Sequence, residues 1–196
     1  MDKYDSSNDH YCYPDTNVLE NKLNIVDIDE LEEAEREITA LTVEGITFEY
    51  PPYSLDYLKN IHNTLFSELY GWAGETRDID ISKGETRFCT WTRIEKESNK
   101  IFSLIEKDNW LHDLELDDFC SKLAEHYCEM NMLHPFREGN GRTQRVLFEH
   151  IALAAGYELD WADLTPDEWI QANIAGVNVN YAPMERIFRR IVVSVS

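Results

Sequence analysis

The sequence predicts a mainly helical domain that carries one small β-hairpin. Apolar residues recur at spacings of three and four through most of the chain, as on one face of an α-helix. Only IDISKGETRF (79–88) alternates, with Lys83-Gly84 between two short runs, which is typical of a hairpin. The 196 residues, 43% of them hydrophobic, suit a single domain. We expect an N-terminal capping segment at about 1–50 and a core at 51–196.

In the N-terminal third, the sequence predicts three helices. Segment 11–25 has a turn at Pro14-Asp15 and is predicted to continue as a short capped helix. Segment 27–42 is predicted to be an amphipathic helix, and Ser54 is expected to cap the next one. The predicted apolar faces of these two helices are Ile28, Leu31, Ala34, Ile38 and Leu41, then Leu55, Leu58, Ile61, Leu65 and Leu69.

Helical spacing returns after the hairpin. It predicts helices at 94–105, 116–133 and 142–155, with a break at His134-Pro135 and a left-handed end at Gly156. Thr165-Pro166 has the residues of a helix start, and a last helix is predicted from Pro183 to about Val193.

Composition excludes several classes of function. Acidic residues outnumber basic ones 38 to 18, and a formal charge of −20 repels nucleic acid and anionic membranes. The chain has no apolar run of about 18 residues and no signal peptide, so we expect a cytoplasmic protein. The four cysteines lack CxxC spacing and are expected to be thiols, with Cys120 and Cys128 facing the core.

The segment HPFREGNGRTQR (134–145) has the chemistry of a phosphate site. Gly139 and Gly141 allow close approach of the backbone, and the next helix begins at about Asn140 with exposed N–H groups. Arg142 and Arg145 are three residues apart, so both can grip phosphates beside that helix end.

Two further side chains add catalytic chemistry to this segment. Glu138 would repel phosphate alone but makes sense as a ligand of Mg²⁺ bridging to a nucleotide. His134 titrates near neutral pH and can take a proton from an attacking hydroxyl. Each of these residues by itself is explained by a helix cap or a turn. A turn without a ligand does not require all of them together in this order.

This segment matches the motif HxFx(D/E)GNGRxxR of the Fic family at every defining position. The YxYP…NKLNI opening and the ISKGETRF hairpin also resemble Fic domains of bacterial toxins and translocated effectors. The resemblance implies the Fic fold, a helical bundle around a helix–loop–helix active site with a hairpin flap. It also implies adenylylation, the transfer of AMP from ATP to a Tyr, Thr or Ser hydroxyl of a target protein.

The resemblance implies a role for each motif residue. His134 would be the general base, Phe136 the buried anchor of the loop and Glu138 the Mg²⁺ ligand. The nucleotide would contact Gly139, Asn140, Gly141, Arg142 and Arg145, with the adenine held by the helix of Trp169, Ala172 and Asn173. The flap that docks the target would comprise Ile79, Ile81, Lys83, Gly84 and Thr86.

Many Fic enzymes are restrained by a helix with the pattern (S/T)xxxE(G/N), whose Glu pairs with the second motif arginine, here Arg145. TNVLEN (16–21) matches these letters and offers Glu20, although simple capping explains the threonine. We therefore expect a separate small antitoxin to supply the inhibitory Glu. The chain would be translocated if it is part of a longer effector.

Other functions remain open at this point. A Fic protein can bind without catalysis, remove AMP, or transfer UMP or phosphocholine through the same loop. A metal hydrolase that uses His112, His126, His134 and His150 is weaker, because the chain has no HExxH or comparable spacing.

Overall fold

The computed structural model describes residues 9–195, and within them the chain forms seven α-helices. The prediction of a mainly helical fold is confirmed, and the three central helices lie where the spacing predicts them. The helices are α1 (Ile28–Thr42), α2 (Leu55–Phe66), α3 (Ile94–Lys107), α4 (Leu116–Leu133), α5 (Asn140–Ala154), α6 (Pro166–Val177) and α7 (Ala182–Ile191). No helix in this range is both long and apolar enough to cross a membrane.

Side-chain caps fix where several helices begin. The Ser54 hydroxyl accepts a hydrogen bond from the Tyr57 N–H, as predicted. Thr165 does the same for the Glu168 N–H, with Pro166 in the first turn of α6. Gly156 follows α5 with a φ of 89°, the left-handed conformation predicted for it.

The core is built around α4 and α5, which pack on each other. Helices α3, α6 and α7 also pack on α4, and α2 packs on α5. Both central helices bury aromatic and aliphatic side chains, among them Phe119 and Leu123 of α4 and Leu147 and Ile151 of α5. The six residues between them, 134–139, are therefore held at both ends by buried helices.

The predicted hairpin is confirmed and is very short. Strands β1 (Ser82–Lys83) and β2 (Thr86–Arg87) pair antiparallel, with Ser82 opposite Arg87. Gly84 has a φ of 57°, which suits the tight turn. Below the strands, Ile81 and Phe88 form a small apolar cluster of their own, and Ile79 packs against it.

A second two-stranded sheet was not predicted. Strands β3 (Tyr157–Leu159) and β4 (Val192–Ser194) pair antiparallel. The last helix therefore ends at Ile191 rather than near Val193. The β-branched Val192 and Val193 favour an extended backbone once a partner strand is available.

The helix predicted within 11–25 is wrong. Cys12 and Leu19 form an isolated antiparallel bridge, and the Tyr13 N–H donates to the Val18 carbonyl at 2.9 Å. Pro14 favours an extended residue before it, and Asp15 adopts a φ of 59°, so the chain reverses in a turn. Val18 and Leu19 are both buried in the core.

The apolar face predicted for α1 is also wrong in part. Its buried residues are Leu31, Glu35 and Thr39, while Leu41 is 71% exposed. The buried face of α1 therefore includes the polar side chains Glu35 and Thr39, and both contact Arg142 of α5.

Candidate active site

The loop from His134 to Gly139 is closed by its own hydrogen bonds. His134 ends α4 with a φ of 38°, and Gly139 precedes α5 with a φ of 77°. The Asn140 side chain accepts from the Phe136 N–H at 2.8 Å and donates to the Phe136 carbonyl at 2.8 Å. Asn140, predicted to contact the nucleotide, is thus buried and also holds the shape of the loop.

Phe136 anchors the loop through His62, a residue that the sequence did not single out. The two rings stack with centroids 3.9 Å apart, and both side chains are buried. The Gly74 N–H donates to His62 Nδ1 at 2.8 Å, so the ring proton is on Nε2, which lies 3.0 Å from the Glu138 carbonyl. Burial lowers the pKa of His62 to about 3, and the ring is neutral.

His134 is oriented by two contacts. Its Nδ1 hydrogen-bonds the Asn131 carbonyl, and its ring stacks on Phe88 at 3.7 Å between centroids. A carbonyl only accepts, so Nδ1 carries the proton and Nε2 is the nitrogen that can take one up. The side chain is buried but lines a cavity.

Arg142 lies among acidic and hydroxyl groups. It forms an ion pair with Glu35, lies 3.8 Å from Glu138, and donates to the Thr39 hydroxyl at 3.3 Å. The Tyr70 hydroxyl donates to the other Glu35 oxygen at 2.5 Å, so this carboxylate is held from two sides. A phosphate that binds Arg142 must share the guanidinium with Glu35.

Arg145 is held by aromatic rings rather than by a carboxylate. Its guanidinium carbon lies 5.5 Å from the Trp161 ring centroid and 5.3 Å from that of Trp169. Trp161 in turn donates to Glu149 at 2.6 Å. No acceptor in the described residues reaches the buried Nε of Arg145. A buried donor of this kind favours an incoming anion.

Glu138 is buried, and one of its oxygens accepts from the Gly139 N–H at 2.9 Å. The carboxylate also lines the cavity beside Arg142. Glu35 is a second buried carboxylate of the same cavity. A carboxylate beside an arginine-lined cavity suits Mg²⁺, which usually keeps several waters and bridges to phosphate oxygens.

Two cavities meet over the first turn of α5. One, of about 630 Å³, is lined by Glu35, Glu138 and Arg142. The other, of about 390 Å³, is lined by His134, by the flap and by α6. Gly141 and Arg145 line both, so one elongated ligand can occupy the two together.

Most of the predicted site residues come together here. Trp169 and Asn173 line the smaller cavity with Lys83, Gly84 and Thr86 of the flap. Trp169 also packs on Tyr127, with ring centroids 5.0 Å apart. Ile79 and Ile81 do not line either cavity and instead form the apolar base of the flap.

Arg137 was missed because its place in the motif is variable. Its guanidinium is buried and donates twice to one oxygen of Asp9, at 2.9 and 2.5 Å. The segment near the N-terminus is therefore attached to the loop across more than a hundred residues of sequence.

Three other expectations concern Glu20, the histidines and the cysteines. Segment 16–21 is not helical and Glu20 is exposed, so it does not form an inhibitory helix. His126 pairs with Asp108, and His150 hydrogen-bonds Tyr57. In the described part of the chain, no three potential ligands from His, Cys, Asp and Glu assemble. All four cysteines are free thiols, and Cys120 and Cys128 are buried.

Comparison with known proteins gives one consistent family. The family model described as Fic/DOC matches residues 52–152. The "Probable protein adenylyltransferase Fic" of Escherichia coli K12 is 39% identical over 191 residues, covering 97% of this chain and 96% of that protein. The "Protein adenylyltransferase VbhT" of Bartonella schoenbuchensis is 37% identical over 97% of this chain, which spans 40% of VbhT.

A solved structure agrees in shape. The BepC protein of Bartonella tribocorum, a VirB-translocated effector crystallised with bound AMPPNP, superposes with a TM-score of 0.87 at 28% identity. The match covers 95% of this chain and 97% of that one.

Proposed function

Because this chain belongs to the Fic/DOC family, we propose that it is a protein adenylyltransferase, which moves AMP from ATP to a Tyr, Thr or Ser hydroxyl of a target protein. The observation that carries the proposal is the meeting of two cavities at Gly141 and Arg145, with His134 on one side and Arg142 on the other. The names of the relatives and the AMPPNP bound to BepC agree with it.

The nucleotide is expected to lie across the first turn of α5. The adenosine occupies the smaller cavity, beside Trp169 and Asn173, and the phosphates extend toward Arg142 in the larger one. The exposed N–H groups at the start of α5 bind phosphate oxygens, as at other helix N-termini. Arg145, whose Nε has no acceptor in the described residues, gains one from the phosphates.

In the transfer step, the target hydroxyl oxygen attacks the α-phosphorus. The bond from this phosphorus to the bridging oxygen breaks, pyrophosphate leaves, and the hydroxyl proton passes to Nε2 of His134. The Nδ1 bond to the Asn131 carbonyl keeps the ring in the tautomer that this step needs. Glu138 would hold Mg²⁺, which supplies charge neutralisation on the phosphates. The flap orients the target segment over the same cavity.

The proposal is tested with α-labelled ATP, Mg²⁺ and a bacterial lysate, comparing the wild type with His134→Ala. We expect label on protein with the wild type, a +AMP mass on a hydroxyl side chain, and about 10²- to 10⁴-fold less transfer with the variant. ATP binding by the variant serves as the control for a folded site. Wild-type protein that binds ATP but transfers no label would indicate a binding role. Transfer only from UTP or CDP-choline would show that the donor of the transferred group is not ATP.

We also propose that a separate small protein restrains the enzyme by directing a Glu at Arg145. The buried Nε of Arg145 and the larger cavity beside it support this, since an incoming carboxylate would be well bound there. The chain is expressed alone and beside its genomic neighbour, and growth and transfer are measured. Full restraint of the chain alone, released by Glu20→Gly, would contradict the proposal.

A further inference from the structure

Arg77 has an unusual environment for a charged side chain. It is 2% exposed and is among the largest fully buried side chains in the described residues. It lies in none of the motifs considered so far, on the chain between α2 and the flap and just before Ile79. Resting on the function proposed above, we propose that Arg77 is a positioning residue that fixes the flap relative to His134.

On one side, Arg77 holds the loop that carries His134. Its Nε donates to the His134 carbonyl at 2.8 Å, and its backbone N–H donates to the Pro135 carbonyl at 2.9 Å. A longer bond, 3.4 Å, joins the guanidinium to the Leu133 carbonyl. His134 has a left-handed backbone, which is costly for a residue other than glycine and persists where neighbours fix it. Arg77 binds the carbonyl of that strained residue.

On the other side, Arg77 holds both ends of the flap. The guanidinium donates to the Ile79 carbonyl at 2.6 Å and to the Cys89 carbonyl at 2.5 Å. Ile79 lies on the chain before β1, and Cys89 lies after β2. The Cys89 N–H also donates to the Met132 carbonyl at 3.0 Å, next to the end of α4.

The flap needs such support because it is too short to be stable alone. Each strand has two residues, and an isolated two-stranded hairpin is at best marginally stable in water. Its own apolar cluster contains only Ile81, Phe88 and Ile79 among the described residues. One planar guanidinium with five donors can tie the two stems of the hairpin and the loop into one unit, which an ammonium group cannot do.

The consequence is specific to the transfer step. The flap residues Lys83, Gly84 and Thr86 and the base His134 line the same cavity, and Arg77 sets the distance between these two sides. Arg142 and Arg145 of α5 line the larger cavity, whereas the hydrogen bonds of Arg77 named above go to the loop and to the flap. Loss of Arg77 should therefore disturb how the target meets His134 while the phosphates still bind.

The test uses Arg77→Lys and Arg77→Met in the full chain, with Arg93→Met as the control. Arg93 is an exposed arginine that pairs with Glu97 of α3 and lines neither cavity. We expect kcat for target modification to fall about 10²-fold in both Arg77 variants, with KM for the target raised and the dissociation constant for ATP unchanged. Arg93→Met should retain near wild-type values for all three.

A second measurement does not depend on activity. Hydrogen exchange in Arg77→Lys should speed up together in 79–89 and 133–136, by about tenfold or more, and stay unchanged in the distant sheet of β3 and β4. An unchanged kcat, parallel losses of kcat and ATP affinity, exchange that rises everywhere, or failure of both variants to fold would each overturn the positioning role. If the wild type transfers nothing, the proposed function fails while the exchange result still decides the coupling.

Discussion

Gly139 and Gly141 differ in their surroundings. Alanine substitutions at these two positions should therefore separate an effect on folding stability from an effect on nucleotide binding. An added Cβ at Gly139 would lie 2.3 Å from two ring atoms of Phe66, which is fully buried, and the backbone there has a φ of 77°. At Gly141, an added Cβ meets nothing within 4 Å. We therefore expect alanine to destabilise the fold at Gly139 and to be tolerated by the fold at Gly141.

The magnitude for Gly139→Ala has two parts. The left-handed backbone costs a residue with a Cβ about 1–2 kcal/mol, and overpacking against Phe66 costs about 1–3 kcal/mol. The resulting loss of about 2–5 kcal/mol is a large share of a typical stability of about 5–15 kcal/mol. For a chain of this size, it should lower Tm by about 4–20 °C.

Gly141→Ala should change Tm little or raise it, because alanine favours a helix over glycine by about 0.5–1 kcal/mol. Gly141 lines both cavities, however, and a methyl group there occupies the space through which a phosphate approaches the backbone. We expect ATP affinity to fall by about tenfold or more, which corresponds to about 1.4 kcal/mol.

Thermal and urea unfolding of both variants, with calorimetric titration of ATP, measure these effects. A Gly139→Ala protein as stable as the wild type would refute the packing argument. A Gly141→Ala protein that binds ATP normally would refute the position given to the phosphates.

Three further results are expected. Because burial lowers the pKa of His62 from 6.5 to about 3, the unfolded chain takes up this proton first, and stability should fall as pH drops through that window, by up to about 1.4 kcal/mol per unit. When the free energy of unfolding is measured by urea titration across this pH range, His62→Gln should lose this part of its pH dependence. An unchanged pH dependence in the variant would contradict the assignment to His62. Asp9→Asn leaves the buried guanidinium of Arg137 without its carboxylate and should cost about 3 kcal/mol in urea unfolding; no loss would show that the pair is dispensable. Trp161→Leu removes one ring from Arg145 and should weaken ATP binding by about 2- to 30-fold, as measured by calorimetry, whereas equal affinity would exclude a cation–π contribution.

Sequence reasoning succeeded where structure follows from local rules. The caps at Ser54 and Thr165 and the left-handed Gly156 each depend on a few adjacent residues. The shape of the loop at 134–145 was predictable for the same reason, since its glycines, its Glu and its arginines lie close together in sequence around the start of α5.

It failed where the deciding contact is distant along the chain. Apolar periodicity placed Glu35 on the solvent side of α1, because nothing near it in sequence signals a partner 107 residues away. The bond from Arg77 to the His134 carbonyl spans 57 residues, and no motif marks a side chain that donates to backbone carbonyls. Strands β3 and β4 could not be predicted either, because each needs the other, distant segment as its pairing partner.

The position of Arg145 between two cavities has a consequence for how products depart. Under the proposed reaction, the modified side chain ends on the flap side of this arginine and pyrophosphate on the α1 side. The two products would then lie in different cavities, the modified side chain beside His134 and pyrophosphate beside Arg142. Pyrophosphate that stayed beside Arg142 would delay the next ATP without covering the modified side chain.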